Sequence, residues 1–239
     1  APRKKKAASS TTETATTADA AVDTQTTGDD LNIMIETPVE SLDPQIGQDG
    51  TSFEVIADFT DGLMQMDAEG SPVPAIAESY ELSEDGMTYT FHLRDDAKWS
   101  NGTEVTAADF VFGWQRAVDP KNACEYSYMM SDIGQVKNAA EIIAGEKDKS
   151  ELGVTALDDT TLQVELNVPV SYFLSLMYFP TFYPVNEEFY NTCADTFASS
   201  PETTLANGAF MLDSYEPAAT TIHLTRNPYY YDADKIALS

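Results

Sequence analysis

The sequence predicts a fold that mixes strands and helices, α/β or α+β, and three segments predict it. Thr88–Leu93 alternates, with Tyr89, Phe91 and Leu93 on one face and Thr88, Thr90 and His92 on the other, as a half-buried strand does. Beyond it, Phe110, Trp114 and Ala117 or Val118 recur at helical spacing. That run opens on Thr106-Ala107-Ala108-Asp109, where hydroxyl and carboxylate can each meet an orphan N–H, and Pro120 closes it. Thr161–Leu166 then returns to alternation with Leu162, Val164 and Leu166 inward. Strands interleaved with helices give a mixed architecture.

The remaining elements follow in chain order. Ala7–Asp30 is nearly all Ala, Thr, Ser, Asp and Gln, with Val22 its only large apolar residue. It cannot bury enough surface to offset chain entropy, so residues 1–30 are expected to be a disordered linker, a tether holding a folded domain off a surface. Order is expected from Leu31, with Leu31, Ile33 and Ile35 on one strand face. Ser41-Leu42-Asp43-Pro44 breaks that strand. Ser52–Met66 carries Val55, Ile56, Phe59 and Leu63 at helical spacing, with Gly62 as terminator. Asp67-Ala68-Glu69-Gly70, Glu84-Asp85-Gly86, Asn101-Gly102 and Asp158-Asp159 are turns. Asp132–Gly145 is expected to be a helix burying Ile133, Val136, Ala140 and Ile143, and Pro169–Met177 another. Phe179–Val185 reads as an ordered loop or short strand. Gly208–Leu212, a turn at Pro217-Ala218 and a strand at Thr221–Thr225 end the chain.

Charge and motif content exclude several function classes. The 239 residues hold 13 basic and 40 acidic side chains, a formal charge of −27, with Arg3, Lys4, Lys5 and Lys6 clustered at the start. Such a surface repels phosphate backbones, so no nucleic-acid partner is expected. No apolar run reaches the length of a membrane span, and no secretory core precedes the polar tract. Cys124 and Cys193 are too few for a disulfide framework and read as two separate thiols. His92 and His223 stand alone, without metal spacing. No phosphate loop, dinucleotide fingerprint, zinc-protease motif or nucleophile elbow is present, so neither a cofactor nor an enzyme activity is expected. The carboxylates read as caps, turns and solvated surface. The 12 Tyr and 11 Phe are more informative. Tyr126, Tyr128, Tyr172, Tyr178 and Tyr183 fall in loops or at element ends, where an apolar face with a polar tip suits varied ligands.

An ordered set of motifs then carries a resemblance. Lys98-Trp99-Ser100-Asn101-Gly102-Thr103-Glu104-Val105-Thr106-Ala107-Ala108-Asp109-Phe110 is similar to the KWSDGTPVTAxDF signature of the peptide/nickel-type solute-binding proteins of ABC importers. Gly86–Arg94 resembles their DGxTYTFHLR strand. Glu36, Ser41–Pro44, Asp61-Gly62-Leu63 and Pro74–Ser79 resemble the opening pattern. Asn207-Gly208-Ala209-Phe210 and Arg226-Asn227-Pro228-Tyr229-Tyr230 resemble its NGPY and RNPxYW, and Thr181–Val185 resembles the oligopeptide branch. Asn101, Glu104 and Ala209 depart from the pattern at turn positions.

The resemblance implies a periplasmic-binding-protein-like type II lobe bearing the extra small domain of the peptide-binding branch. Residues 31–45 plus 165–239 would form part of lobe I, and 46–164 the small inserted domain. The family is about twice this length, so a second lobe is expected to be absent from the sequence. The implied function is capture of extracellular oligopeptides by main-chain contacts and delivery to ABC permease subunits. The implied place is the outer face of the cell membrane, lipid-anchored, or the periplasm, as a monomer when full length. The loop Gly47-Gln48-Asp49-Gly50-Thr51-Ser52-Phe53 would contact ligand, its glycines allowing close backbone approach, together with Tyr126 and Tyr128. Alternatives are another solute on the same scaffold (nickel chelate, heme, sugar or a signalling peptide), a two-carboxylate hydrolase, and a surface adhesin.

Overall fold

The computed structural model describes residues 25–27, 30–35, 37–215 and 221–238. Two units separate, Ala1–Met34 and Ile35–Ser239. In the first, strands β1 (Gln25–Thr27) and β2 (Asp30–Asn32) pair antiparallel, Thr27 opposite Asp30. The rest of the expected linker, Glu36 and the Pro217-Ala218 turn lie outside the described residues. The strand expected over Leu31–Ile35 stops at Asn32, and Leu31, Ile33 and Met34 are exposed.

The second unit runs through α1 (Gly50–Phe59), β3 (Met64–Met66), β4 (Pro72–Pro74), β5 (Ala77–Leu82), β6 (Thr88–Leu93), α2 (Ala107–Val118), α3 (Ala139–Ile143), β7 (Val154–Asp158), β8 (Thr161–Glu165), α4 (Phe173–Leu176), α5 (Glu187–Cys193), β9 (Phe210–Ser214) and β10 (His223–Arg226). One antiparallel sheet in the order β5-β6-β8-β7 organises the larger core. Its inward residues Tyr89, Phe91, Leu93, Leu162 and Val164 are buried against Phe110, Trp114 and Ala117 of α2. Each large apolar side chain so covered contributes roughly 1.5–3 kcal/mol. The α2 start is as its sequence predicts: Thr106 N donates to Asp109 Oδ2 at 2.9 Å, and the same oxygen accepts from Trp99 Nε1 at 3.0 Å. Burial pushes the Asp109 carboxyl up to about 6, against these hydrogen bonds. Trp114 Nε1 donates to the Phe182 carbonyl at 2.8 Å, fastening α2 to the 180–185 segment.

A second cluster joins Val55, Ile56 and Phe59 of α1 to Val39, Leu42, Tyr183, Ala206, Leu212 and Tyr215. Two buried asparagines make its joints. Asn207 N and Gly208 N both donate to the Phe59 carbonyl, at 3.1 and 2.9 Å, while Asn207 Oδ1 accepts from Asp61 N at 2.9 Å. Asn227 Nδ2 donates to the Gly208 carbonyl at 2.9 Å. A Cβ on Gly208 would lie 2.8 Å from the Phe59 carbonyl carbon, so only glycine fits that crossing. The Trp99–Thr103 turn docks alongside, Ser100 N donating to Ala206 O at 2.6 Å.

Several expected elements are corrected. The helix placed at Ser52–Met66 ends at Phe59, because Asn207 and Gly208 take its last carbonyl and Thr60 turns extended. Leu63 is buried, but in the larger core beside β3, and Gly62 is no helix terminator. The helix placed at Asp132–Gly145 breaks into a π-turn, Met129–Ile133, and the five-residue α3. Gln135 and Asn138 there adopt positive φ, and Val136 bridges Leu166. Pro169–Met177 is helical only over α4. Cys124 and Cys193 are both free thiols, and burial pushes Cys124 up to about 11.

Candidate functional site

The loop ahead of α1 is built by capping. Asp49, in extended backbone, accepts from Ser52 N at 2.8 Å through Oδ1 and from Ser52 Oγ at 2.5 Å through Oδ2. Ser52 Oγ in turn accepts from Glu40 N at 3.0 Å and Ser41 N at 3.3 Å. Only Gly47–Asp49 of the predicted loop precedes the helix; Gly50–Phe53 form the first turn of α1, because Asp49 caps it, and Ser52 there is fully buried, a joint facing inward. Gly47 is buried too, its N–H donating to Asp43 O at 2.8 Å. Gln48 and Gly50 are exposed, and Asp49, Thr51 and Phe53 are half-buried. Nothing lies within 4 Å of a Cβ built on Gly50, which leaves its backbone open to approach.

Tyr126 comes to this loop from more than seventy residues away. Its hydroxyl donates to the Gln48 carbonyl at 3.3 Å, and its ring meets Phe53 edge-on at 5.3 Å. Tyr128 lies 5.9 Å from Tyr126, and Phe179 sits 5.1 Å from Phe53 and 5.3 Å from Tyr126. Such ring pairs contribute about 0.5–1.5 kcal/mol each beyond burial. The predicted loop and the two predicted tyrosines thus converge. Phe179 was missed; the aromatic run Tyr178-Phe179 was its only signal.

Tyr178 leads from this cluster to an open groove of about 330 Å³, walled by Asp58 of α1, Asp61, Gln65, Phe210 and Tyr230. Among the described residues no basic side chain lines it. The Asp61 carboxylate accepts from Tyr231 OH and Gln65 Nε2, both at 2.9 Å, and Arg94 stacks 3.5 Å over the Tyr231 ring. Burial pushes the Asp61 carboxyl up to about 6, the hydrogen bonds pulling the other way. Burial and the nearby Asp61 push the Tyr231 and Tyr183 phenols up. Tyr183, a candidate in the sequence, is buried in the second cluster; Tyr172 is exposed and donates to Ile133 O at 3.2 Å. Among the described residues no group of three or more His, Cys, Asp or Glu could hold a metal ion, and no helix is long and apolar enough to cross a membrane.

Comparison with known proteins adds a family. Residues 71–239 match the bacterial extracellular solute-binding proteins, family 5 Middle. The chain is 41% identical over 198 residues to the probable deoxycholate-binding periplasmic protein YgiS of Escherichia coli, covering 83% of this chain and 36% of that protein. It is 40% identical over 201 residues to the periplasmic oligopeptide-binding protein OppA of Salmonella typhimurium, covering 84% and 36%. Among solved structures, peptide-bound OppA of Listeria monocytogenes superposes with a TM-score of 0.81 at 39% identity, over 84% of this chain and 40% of that one. The substrate-binding domain of an oligopeptide ABC transporter from Bacillus anthracis gives 0.80 at 42% identity, over 84% and 38%. The chain therefore spans well under half the length of these relatives.

Proposed function

Because the chain belongs to the bacterial extracellular solute-binding proteins of family 5, we propose that it is part of the oligopeptide receptor of an ABC importer. It carries one wall of a cleft that grips the peptide main chain. One observation carries this reading: exposed Gln48 and Gly50, on either side of half-buried Asp49, stand beside the aromatic cluster of Phe53, Tyr126, Tyr128 and Phe179. Backbone groups hold an extended peptide as an added strand, and aromatic faces take side chains loosely. Within Gly47, Gln48, Asp49, Gly50, Thr51, Ser52 and Phe53, the ligand meets Gln48–Thr51 and the edge of Phe53. Buried Gly47 and Ser52 hold the loop in place. Residues 31–45 plus 165–239 belong to lobe I, and 46–164 to the small domain, although α1 packs with the lobe I cluster. The captured peptide passes to permease subunits at the outer face of the membrane, where a lipid anchor holds the receptor, a monomer at full length.

The test is isothermal titration of the full-length gene product with tetraalanine, and of residues 31–239 alone. Binding near about 1–10 μM, about −7 to −8 kcal/mol, is expected at full length and none for the isolated stretch, because the second wall supplies water exclusion and the remaining contacts. Tight binding by residues 31–239 alone refutes the two-walled cleft. Deoxycholate, the ligand in the name of one relative, serves as the second titrant: binding of deoxycholate but not tetraalanine replaces the peptide reading.

A further inference from the structure

The candidate ligand loop is held by a buried ion pair. Arg116, in the last turn of α2, is 4% exposed, and its partners Asp43 and Gln45 are 8% and 1% exposed. Arg116 Nη2 donates to Asp43 Oδ2 at 2.7 Å, and Nη1 to Asp43 Oδ1 at 3.1 Å and to Gln45 Oε1 at 2.5 Å. The guanidinium also lies 4.4 Å from the Tyr190 ring centre and 5.3 Å from that of Phe197. Arginine alone offers a planar fork that can do all of this at once.

The bonds run from that pair into both halves of the site. Asp43 Oδ1 accepts from Gln45 N at 3.0 Å, and the Asp43 carbonyl accepts from Ile46 N and Gly47 N at 3.0 and 2.8 Å. The turn that launches Gly47–Phe53 is therefore shaped by the residue the guanidinium grips. Gln45 Nε2 donates to the Tyr183 carbonyl at 3.2 Å. On the other side, the Arg116 carbonyl accepts from Asn122 Nδ2 at 2.9 Å, in the short helical turn that leads through Cys124 to Tyr126. One residue thus ties the start of the loop to the segment carrying the tyrosines.

Burying two charges costs as much as their attraction returns, so such a pair is poor support for a purely stabilising role. What it supplies is geometry: a loop and a ring set in one fixed relation before ligand arrives. We propose that Arg116, through Asp43, is a positioning residue that presets the Gly47–Asp49 loop and the first turn of α1 against Tyr126 for peptide binding. This rests on the peptide-receptor reading above.

Three forms of the full-length gene product test it: wild type, Arg116→Lys, and Arg116→Met with Asp43→Asn. The double variant removes both charges yet keeps an oxygen for Gln45 N, so its Tm should stay within about 5 °C of wild type. Its Kd for tetraalanine should rise about tenfold or more. Amide exchange should quicken at Gly47–Phe53 and not in β6 or β8. Lysine, lacking the fork, should show the same pattern more weakly. A folded double variant that binds within about threefold of wild type overturns the proposal. So does unfolding of both variants, for the pair would then hold the fold rather than the loop. If wild type takes no tetraalanine, the receptor reading fails separately, and unchanged exchange at Gly47–Phe53 in both variants still overturns the positioning role.

Discussion

Replacing Ser52 by Ala removes a single oxygen from the joint behind the candidate loop. That oxygen donates to Asp49 Oδ2 at 2.5 Å and accepts from Glu40 N and Ser41 N. A hydrogen bond to a charged carboxylate contributes about 1.5–3 kcal/mol, and a donor left unpaired away from water costs about 1–3 kcal/mol. Glu40 is exposed and its N–H is rehydrated, whereas Ser41 is half-buried and bears most of the loss. Ala favours the helix over Ser by about 0.5 kcal/mol, which offsets part of it. Asp49 Oδ1 still caps the residue 52 N–H, so α1 persists. The net destabilisation is about 2–3 kcal/mol, or roughly 4–12 °C in Tm for a chain of this size. Urea unfolding followed by far-ultraviolet circular dichroism reads it as a lower midpoint with an unchanged slope. A shift below about 0.5 kcal/mol would refute the reasoning, showing that the joint is hydrated and the serine carries no load.

Three further outcomes are expected. Trp114→Phe strands the buried Phe182 carbonyl that Trp114 Nε1 now reaches at 2.8 Å and leaves a void. It should cost about 2–4 kcal/mol by equilibrium unfolding, and an unaffected midpoint contradicts that bond's importance. Asp61 titrates near 6 when folded against an ordinary 3.8, so the folded chain holds its proton more tightly. Its contribution therefore favours folding as pH falls through 6 and is complete below 3.8, at most about 3 kcal/mol. The stability of wild type minus that of Asp61→Asn should accordingly rise from about pH 7.5 to about pH 4.5; a flat difference removes the buried carboxylate from the account. Tyr126→Phe should change stability by less than about 1 kcal/mol, since only the long bond to Gln48 is lost, while Tyr126→Ala strips three ring contacts and should weaken tetraalanine binding in the full-length protein. Equal affinities for the Phe and Ala variants would deny the ring a role.

Legibility in the sequence followed the range of the forces involved. The β6 strand and the α2 helix were readable because periodic burial and local capping act within a few residues of chain. The Asp67–Gly70 turn is likewise local: Asp67 Oδ1 accepts from Glu69 N and Ser71 N. The helix expected over Ser52–Met66 was too long because its end is set by Asn207 and Gly208, some 150 residues on, which no local pattern announces. β7 went unseen for a similar reason: its burial depends on pairing with β8 and covering by α2.

The same division holds for function. The ordered motifs placed the chain among the solute-binding proteins, since turn, cap and strand signals survive as short local strings. The candidate loop and tyrosines were named there too, but as separate stretches. Only the tertiary structure put Tyr126 and Phe179 on Phe53, turned Ser52 inward, and set Arg116 on Asp43. Those relations are made by side chains far apart in sequence, and their strength comes from burial that exists only once the core has closed around them.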